Sequence, residues 1–128
     1  MLKSRFKSFL PAIVWAMLIF VVSSIPNLST PPMGISFSDK VMHFGEYAIL
    51  GFLTAMGFSK IVKKDRMVFL LSALCAGFYG VFDELHQYFV PGRYLEFWDI
   101  MANIFGAIVA GLLYVIVIRR KINHADTT

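Results

Sequence analysis

The stretch YGVFDELHQYFVPGR, residues 79–93, decides how the chain is read. It begins as an apolar run of the kind that crosses a membrane. It then delivers Asp83, Glu84, His86 and Gln87 within little more than one helical turn. Ionisable groups at membrane depth cost several kcal/mol unless they are paired or wetted. Either these residues lie beyond the membrane in a loop, or they meet other polar groups in a shared site. The rest of the chain favours the second reading.

The chain has 128 residues, enough for one domain, with 58% hydrophobic and 16% charged residues. Soluble domains carry about 25% charged residues, and the mean hydropathy here is +0.69. Composition alone therefore predicts a membrane protein. Four stretches, 9–25, 41–62, 67–90 and 97–118, suit spanning helices, which need about 20 mostly apolar residues. The expected fold is all-α: an integral membrane four-helix bundle forming a single domain over 1–128. Pro11 falls in the first helical turn, where its missing N–H costs little. The first stretch resembles a signal peptide, with Val22-Ser23-Ser24 as a passable cleavage site. Trp15 and Phe20 suit a retained anchor better. Cys75, the single cysteine, forms no internal disulfide and reads as a small buried hydrophobe.

Charge placement gives an orientation. Lys3, Arg5 and Lys7 precede the first span; Lys60, Lys63, Lys64 and Arg66 separate the second from the third; Arg119, Arg120 and Lys121 follow the fourth. The opposite side holds only Lys40 and Arg93, with Asp39, Glu46, Asp83, Glu84, Glu96 and Asp99. The positive-inside rule then puts both termini in the cytoplasm. The pI of 9.4 does not signal a nucleic-acid partner, because the bases flank the spans where anionic headgroups lie. The connection at 26–38 has three prolines and reads as an extended outer loop. Ser38 is expected to cap the second helix, with Asp39 in its positive first turn.

The polar residues share a height and a direction. Glu46 and Asp83 each lie roughly 24 Å of helix above the inner ends of their spans, and Asn103 nearly so. That level falls within the outer margin of a hydrocarbon layer about 30 Å thick. At 100° per residue, Asp39, His43 and Glu46 occupy an arc of roughly 60° on the second helix. Asp83, Glu84 and Gln87 occupy about 100° on the third, and Asp99 and Asn103 align with Gly106 and Ala110 on the fourth. Three such faces at one height imply convergence in a single recess. Small-residue pairs (Gly51 with Ala55, Ala73 with Gly77, Ala76 with Gly80, Gly106 with Ala110) are packing seams that allow helices to approach. Tyr88, Phe89, Tyr94, Phe97 and Trp98 read as an interfacial belt.

The ordered segments DKVMHFGEYAILGF, DELHQYFVPGR and WDIMANIFGAIVAG, running from about residue 39 to 111, resemble the VanZ-like family of small bacterial membrane proteins. The resemblance implies that Lys40, His43, Glu84, Gln87, Arg93, Asp99 and Asn103 occupy the family's characteristic polar positions. It also implies residence in the bacterial cytoplasmic membrane and, through the founding member, a link to resistance against the glycopeptide teicoplanin. It supplies no reaction.

The residue types suggest three functions. The first is an enzyme acting at the outer leaflet on a lipid or lipid-linked envelope precursor, by hydrolysis or group transfer. His43 would be general base or acid, with Glu46 orienting its ring; Glu84 or Asp83 would share proton transfer, and Asp99 would complete the catalytic set by orienting the substrate or the other catalytic groups. Lys40, Gln87, Arg93 and Asn103 would hold the substrate, Arg93 by gripping a phosphate or carboxylate. The second is a non-catalytic binder of a lipid headgroup or drug, because no nucleophile is placed at the polar level. A small transporter is third. No cofactor or metal is expected; were one present, His43, Glu46, Asp83 and His86 would be its ligands. Oligomerisation is left open.

Overall fold

The computed structural model describes residues 5–28 and 38–125, and every regular element among them is helical. A short 3-10 turn, Lys7–Phe9, leads into α1 (Leu10–Ser23). Then come α2 (Ser38–Ser59), α3 (Asp65–Tyr88) and α4 (Phe97–Leu113). A π-helical segment, Tyr114–Arg119, carries α4 on into α5 (Arg120–Ala125). Three helices, Ser38–Ser59, Asp65–Tyr88 and Phe97–Ala125, are long and apolar enough to cross a membrane, and Lys7–Ser23 is a shorter apolar helix. This is a multi-pass membrane protein. Most of the outward apolar side chains, such as Phe78, Phe82, Leu74 and Phe105, are exposed as a lipid-facing surface requires.

The helices are displaced from the apolar stretches by a few residues. α2 begins at Ser38 and ends at Ser59, and α3 begins at Asp65 and ends at Tyr88. Apolarity marks membrane depth, whereas backbone hydrogen bonding continues through a polar first turn such as Ser38-Asp39-Lys40. Ser38 is already helical, with Asp39 beside it in the first turn. The proline-rich loop lies mostly outside the described residues.

α2 and α4 run in the same direction, and α3 runs against both. Glycine lets the parallel pair meet backbone to backbone. A Cβ on Gly106 would stand 2.3 Å from the Phe44 carbonyl oxygen, and one on Gly51 would stand 2.6 Å from that of Ala107. Of the small-residue pairs read from sequence, those of Gly51 and Gly106 thus lie at the α2–α4 contact. α1 lies across α2 and α3. Trp15 Nε1 donates to the Glu46 carbonyl at 2.9 Å, and the Tyr79 hydroxyl donates to the Ala16 carbonyl at 2.7 Å. Short as it is, α1 reaches from Gly57, against which Phe9 packs, to His86, which bonds Ser24 at 2.9 Å and stacks on Phe20.

Each end of the bundle is fastened by an arginine. At the end rich in basic residues, Arg119 is 7% exposed. Its Nε pairs with Asp65 at 2.8 Å and its Nη2 donates to the Val62 and Lys63 carbonyls. At the other end α3 stops at Tyr88, shortly before Pro91, which cannot continue a helix. Residues 90–93 make a turn closed by the Arg93 N–H on the Val90 carbonyl at 3.1 Å, with Gly92 at φ 74°. Proline followed by a positive-φ glycine is a type II turn. Cys75 corrects one expectation. It is exposed, not buried, in an apolar groove between α1 and α3.

Candidate functional site

The site grows from three helix faces at the Arg93 end. α3 contributes Asp83, Glu84 and Gln87, all buried, with Asp83 1% and Glu84 0% exposed. α4 contributes Asp99 and Asn103, also buried, and α2 contributes His43, which is partly buried. Gly80 makes room for the layer: a Cβ there would stand 2.8 Å from that of Asn103 and 3.1 Å from the Tyr47 ring. A small residue on α3 thus admits a polar side chain from α4 toward the bundle axis.

His43 is the centre. Its Nδ1 lies 3.0 Å from Asn103 Oδ1 and 3.6 Å from Glu84 Oε1, while Nε2 lies 3.6 Å from Asp99 Oδ2. Asn103 fixes the ring's protonation pattern. Its Nδ2 donates to the Gly80 carbonyl at 3.3 Å, so Oδ1 is the atom turned to the imidazole and Nδ1–H must donate to it. In the neutral ring Nε2 then carries the lone pair, facing Asp99. Glu84 accepts the Glu96 backbone N–H through Oε2 at 3.4 Å, and its Oε1 has no hydrogen-bond partner among the described residues.

The two basic residues of this end differ in their neighbours. Lys40 is surrounded by three carboxylates: Asp39, Glu96, and Asp99 Oδ1 at 2.8 Å. Its charge is already matched. Arg93 donates to the Leu28 carbonyl at 2.9 Å and to Gln87 Oε1 at 3.0 Å, both uncharged, and no carboxylate pairs with it among the described residues. Gln87 in turn donates to Asp83 Oδ2 at 3.1 Å. These groups border a recess of about 190 Å³ lined by Asp39, His43, Gln87, Arg93, Glu96 and Asp99, with Leu28, Gly92 and Tyr94 at its rim. Other hollows are larger and apolar, the lipid-facing kind; one of about 540 Å³ beside Trp98, Met101 and Phe105 also touches Lys40.

His43, Glu84, Asp99, Asn103, Gln87, Arg93 and Lys40 therefore come together. Glu46 is half-buried and does not bond the imidazole, whose orientation comes from Asn103, Glu84 and Asp99. Asp83 lies one layer deeper, within electrostatic reach of the buried Tyr47 hydroxyl. The expected ligand set of His43, Glu46, Asp83 and His86 is not gathered. His86 faces α1, and one atom each of His43, Glu84 and Asp99 lie within 4.8 Å of one another instead. Tyr47 was missed by sequence reasoning, and Gly80 was read only as a packing residue, not as the one that admits Asn103. Tyr47 stands one turn below His43, so the helical face that gave His43 also carried it. Asn27 was missed too: its N–H donates to the Pro91 carbonyl at 3.0 Å, tying the end of α1 to the Arg93 turn.

Comparison with known proteins adds a lineage. The chain is 28% identical over 92 residues to an uncharacterized protein of Schizosaccharomyces pombe, an alignment covering 72% of this chain and 56% of that one. The chain thus spans little more than half the length of this curated relative. No solved structure matches it. The VanZ/LLP1 family model matches residues 6–118, which include every helix that builds the recess. On that match over most of its length, the chain belongs to the VanZ/LLP1 family.

Proposed function

We propose that the recess receives the polar headgroup of a membrane lipid or lipid-linked cell-envelope precursor and catalyses its hydrolysis or group transfer. The observation that carries this reading is the pairing of His43 with Arg93 across one small polar opening. His43 has its Nδ1–H engaged by Asn103 and its Nε2 lone pair free to take a proton. Arg93 is a cation whose hydrogen bonds go to neutral acceptors, leaving its charge for an anionic group. In hydrolysis, water attacks the ester or phosphoester centre and gives its proton to His43 Nε2. The bond to the leaving oxygen breaks, and that oxygen takes a proton from a carboxylic acid such as Glu84. Asp99 stabilises the imidazolium that forms. Under the positive-inside rule the recess opens at the outer leaflet of a bacterial cytoplasmic membrane, with both termini cytoplasmic.

A non-catalytic binder is the second reading, and one observation favours it. Two candidate nucleophiles of α3 are placed elsewhere: Ser72 donates to the Phe69 carbonyl within the helix, and Cys75 faces the apolar groove. In that case the same recess would hold a headgroup, or the drug itself in a glycopeptide-resistance role, without changing it.

The experiment compares lipids and lipid-linked precursors from cells carrying the wild type, His43→Ala or a deletion. A molecule altered by the wild type alone supports the enzyme and names the substrate class. Unaltered chemistry with altered drug or lipid binding supports the binder. An unaffected phenotype for His43→Ala, at normal membrane abundance, would defeat both.

A further inference from the structure

We infer that His43, Glu84 and Asp99 form a divalent-cation site, with Asn103 as the group that orients its histidine. The inference rests on the recess reading for its place but not for its truth. Three independent observations point to a cation. One nitrogen of His43 and one oxygen from each carboxylate lie within 4.8 Å of one another. Ligands about 2.1 Å from a tetrahedral metal stand about 3.4 Å apart, so the 3.6 Å between His43 Nε2 and Asp99 Oδ2 needs almost no adjustment. Next, Glu84 is wholly buried and its Oε1 has no hydrogen-bond partner among the described residues. A buried carboxylate oxygen left in that state is costly. Finally, this end of the bundle carries Asp39, Glu46, Asp83, Glu84, Glu96 and Asp99 against only Lys40 and Arg93. Lys40 is matched by Asp39, Glu96 and one oxygen of Asp99, and Arg93 turns to neutral oxygens and pairs with none of these acids. Glu84 and one oxygen of Asp99 are left facing His43.

The surroundings suit the role. A metal-binding histidine donates its second ring N–H to a fixed acceptor, which sets the tautomer. Asn103 Oδ1 is that acceptor for Nδ1–H, and the Gly80 carbonyl holds Asn103 in place. Asp99 divides its oxygens, Oδ1 toward Lys40 and Oδ2 toward the imidazole, so the lysine does not block the inner face. One imidazole nitrogen with two carboxylates favours zinc, manganese or ferrous iron over the soft-ligand metals. An ion here would take the His43 Nε2 lone pair and the Glu84 carboxylate, so the ion, and not the imidazole, would activate the attacking water of the proposed hydrolysis.

The test uses the full chain, freed of any affinity tag and of bound metal, in detergent micelles, titrated with Zn²⁺ and separately with Mn²⁺. We expect about one equivalent of one of these ions per chain and a raised unfolding temperature. His43→Ala and Glu84→Gln should each weaken binding about tenfold or more, whereas Glu96→Gln at the rim should leave it nearly unchanged. Stoichiometric binding by neither ion overturns the inference. So does an equal loss in Glu96→Gln and Glu84→Gln, which would place the ion in the rim cluster of Asp39, Glu96 and Asp99. Should the substitutions prevent folding, X-ray absorption of the loaded wild type decides: one imidazole among oxygen ligands supports the site, and none refutes it. A metal-free wild type whose His43→Ala variant still loses function removes the ion and leaves the proposed function standing. A metal-bound wild type whose His43→Ala variant keeps its function does the reverse.

Discussion

Arg119 and Arg93 occupy equivalent places at opposite ends of the bundle, yet their surroundings differ in kind. Arg119 is buried and meets a carboxylate and two backbone carbonyls, so it closes the α2–α3 connection against the end of α4. Arg93 sits at the edge of the recess and meets only neutral oxygens. One arginine has its charge matched inside the protein; the other keeps its charge for whatever enters. The same division separates the two ends at large. Around Arg119 the basic residues are scattered over a surface, and around Arg93 the acids converge on a histidine. A buried guanidinium with a carboxylate partner reads as structure, and one without reads as an invitation to an anion.

The sharpest way to break this comparison is Arg119→Ala. Removing it leaves the Asp65 carboxylate unpaired and two carbonyls of the connection without their donor. Truncating one partner of a buried pair costs about 3–5 kcal/mol, and the partial exposure of Asp65 moves the expectation to the lower end, about 3 kcal/mol. Thermal unfolding in detergent should show a fall of several degrees, while activity per folded molecule stays at the wild-type level. A variant as stable as wild type would remove the structural half of the contrast.

Arg93→Ala should behave in the opposite manner. It loses two hydrogen bonds at a partly exposed position, worth about 1 kcal/mol each at most. Its effect belongs in binding: affinity for a short-chain phosphatidic acid, the simplest phosphate headgroup, should fall about tenfold, equivalent to about 1.4 kcal/mol. Arg93→Lys should recover only part of it, since a point charge does not reproduce the planar fork. Unchanged affinity in Arg93→Ala would show that the unmatched charge serves nothing that enters.

Between these two lies Gly92→Ala. Gly92 has φ 74°, and a Cβ there would stand 1.9 Å from Asn27 Oδ1. The strain of the left-handed backbone costs about 1–2 kcal/mol, and the Asn27 side chain can rotate away. The expected outcome is about 1 kcal/mol of lost stability, with headgroup affinity lowered about threefold because the turn no longer holds Arg93 in register. An affinity loss as large as that of Arg93→Ala would make the turn itself the binding element.

How much of this could be read beforehand divides along physical lines. Helical periodicity placed His43, Glu84, Asp99 and Asn103 on converging faces, because a polar group at membrane depth has few alternatives to meeting others. It failed on pairings within the site. Glu46, one turn from His43, looked like the group that orients the ring, but rotation about the helix axis leaves the imidazole turned toward α3 and α4. Periodicity fixes a face to within tens of degrees, and hydrogen bonds are decided by far less. Arg119 was read as one more base of a topology signal, since nothing in a run of three basic residues says which one folds back. Gly51 and Gly106 were legible as small residues, though their exchange of backbone contact between α2 and α4 needed the helix order in space. Cys75 was misread because an apolar residue in a spanning helix has two apolar surroundings available, core and lipid, and hydropathy does not distinguish them.

The mildest substitution tests the finest claim. Lys40 touches Asp39, Glu96 and Asp99, so losing one of the three acids should leave the lysine matched by the other two. Glu96 is the most exposed of them, with half of its side chain in solvent. Surface ion pairs contribute about 0–1 kcal/mol, so Glu96→Gln should change stability by about 0.5 kcal/mol or less and leave headgroup affinity within about twofold. Its backbone N–H, which Glu84 accepts, is retained by the substitution. A marked gain in affinity for phosphatidic acid would carry more information than a loss. It would mean that Lys40, once partly released, joins Arg93 in holding the anion, and that the charge available to a ligand is set by the rim acids as well as by the arginine.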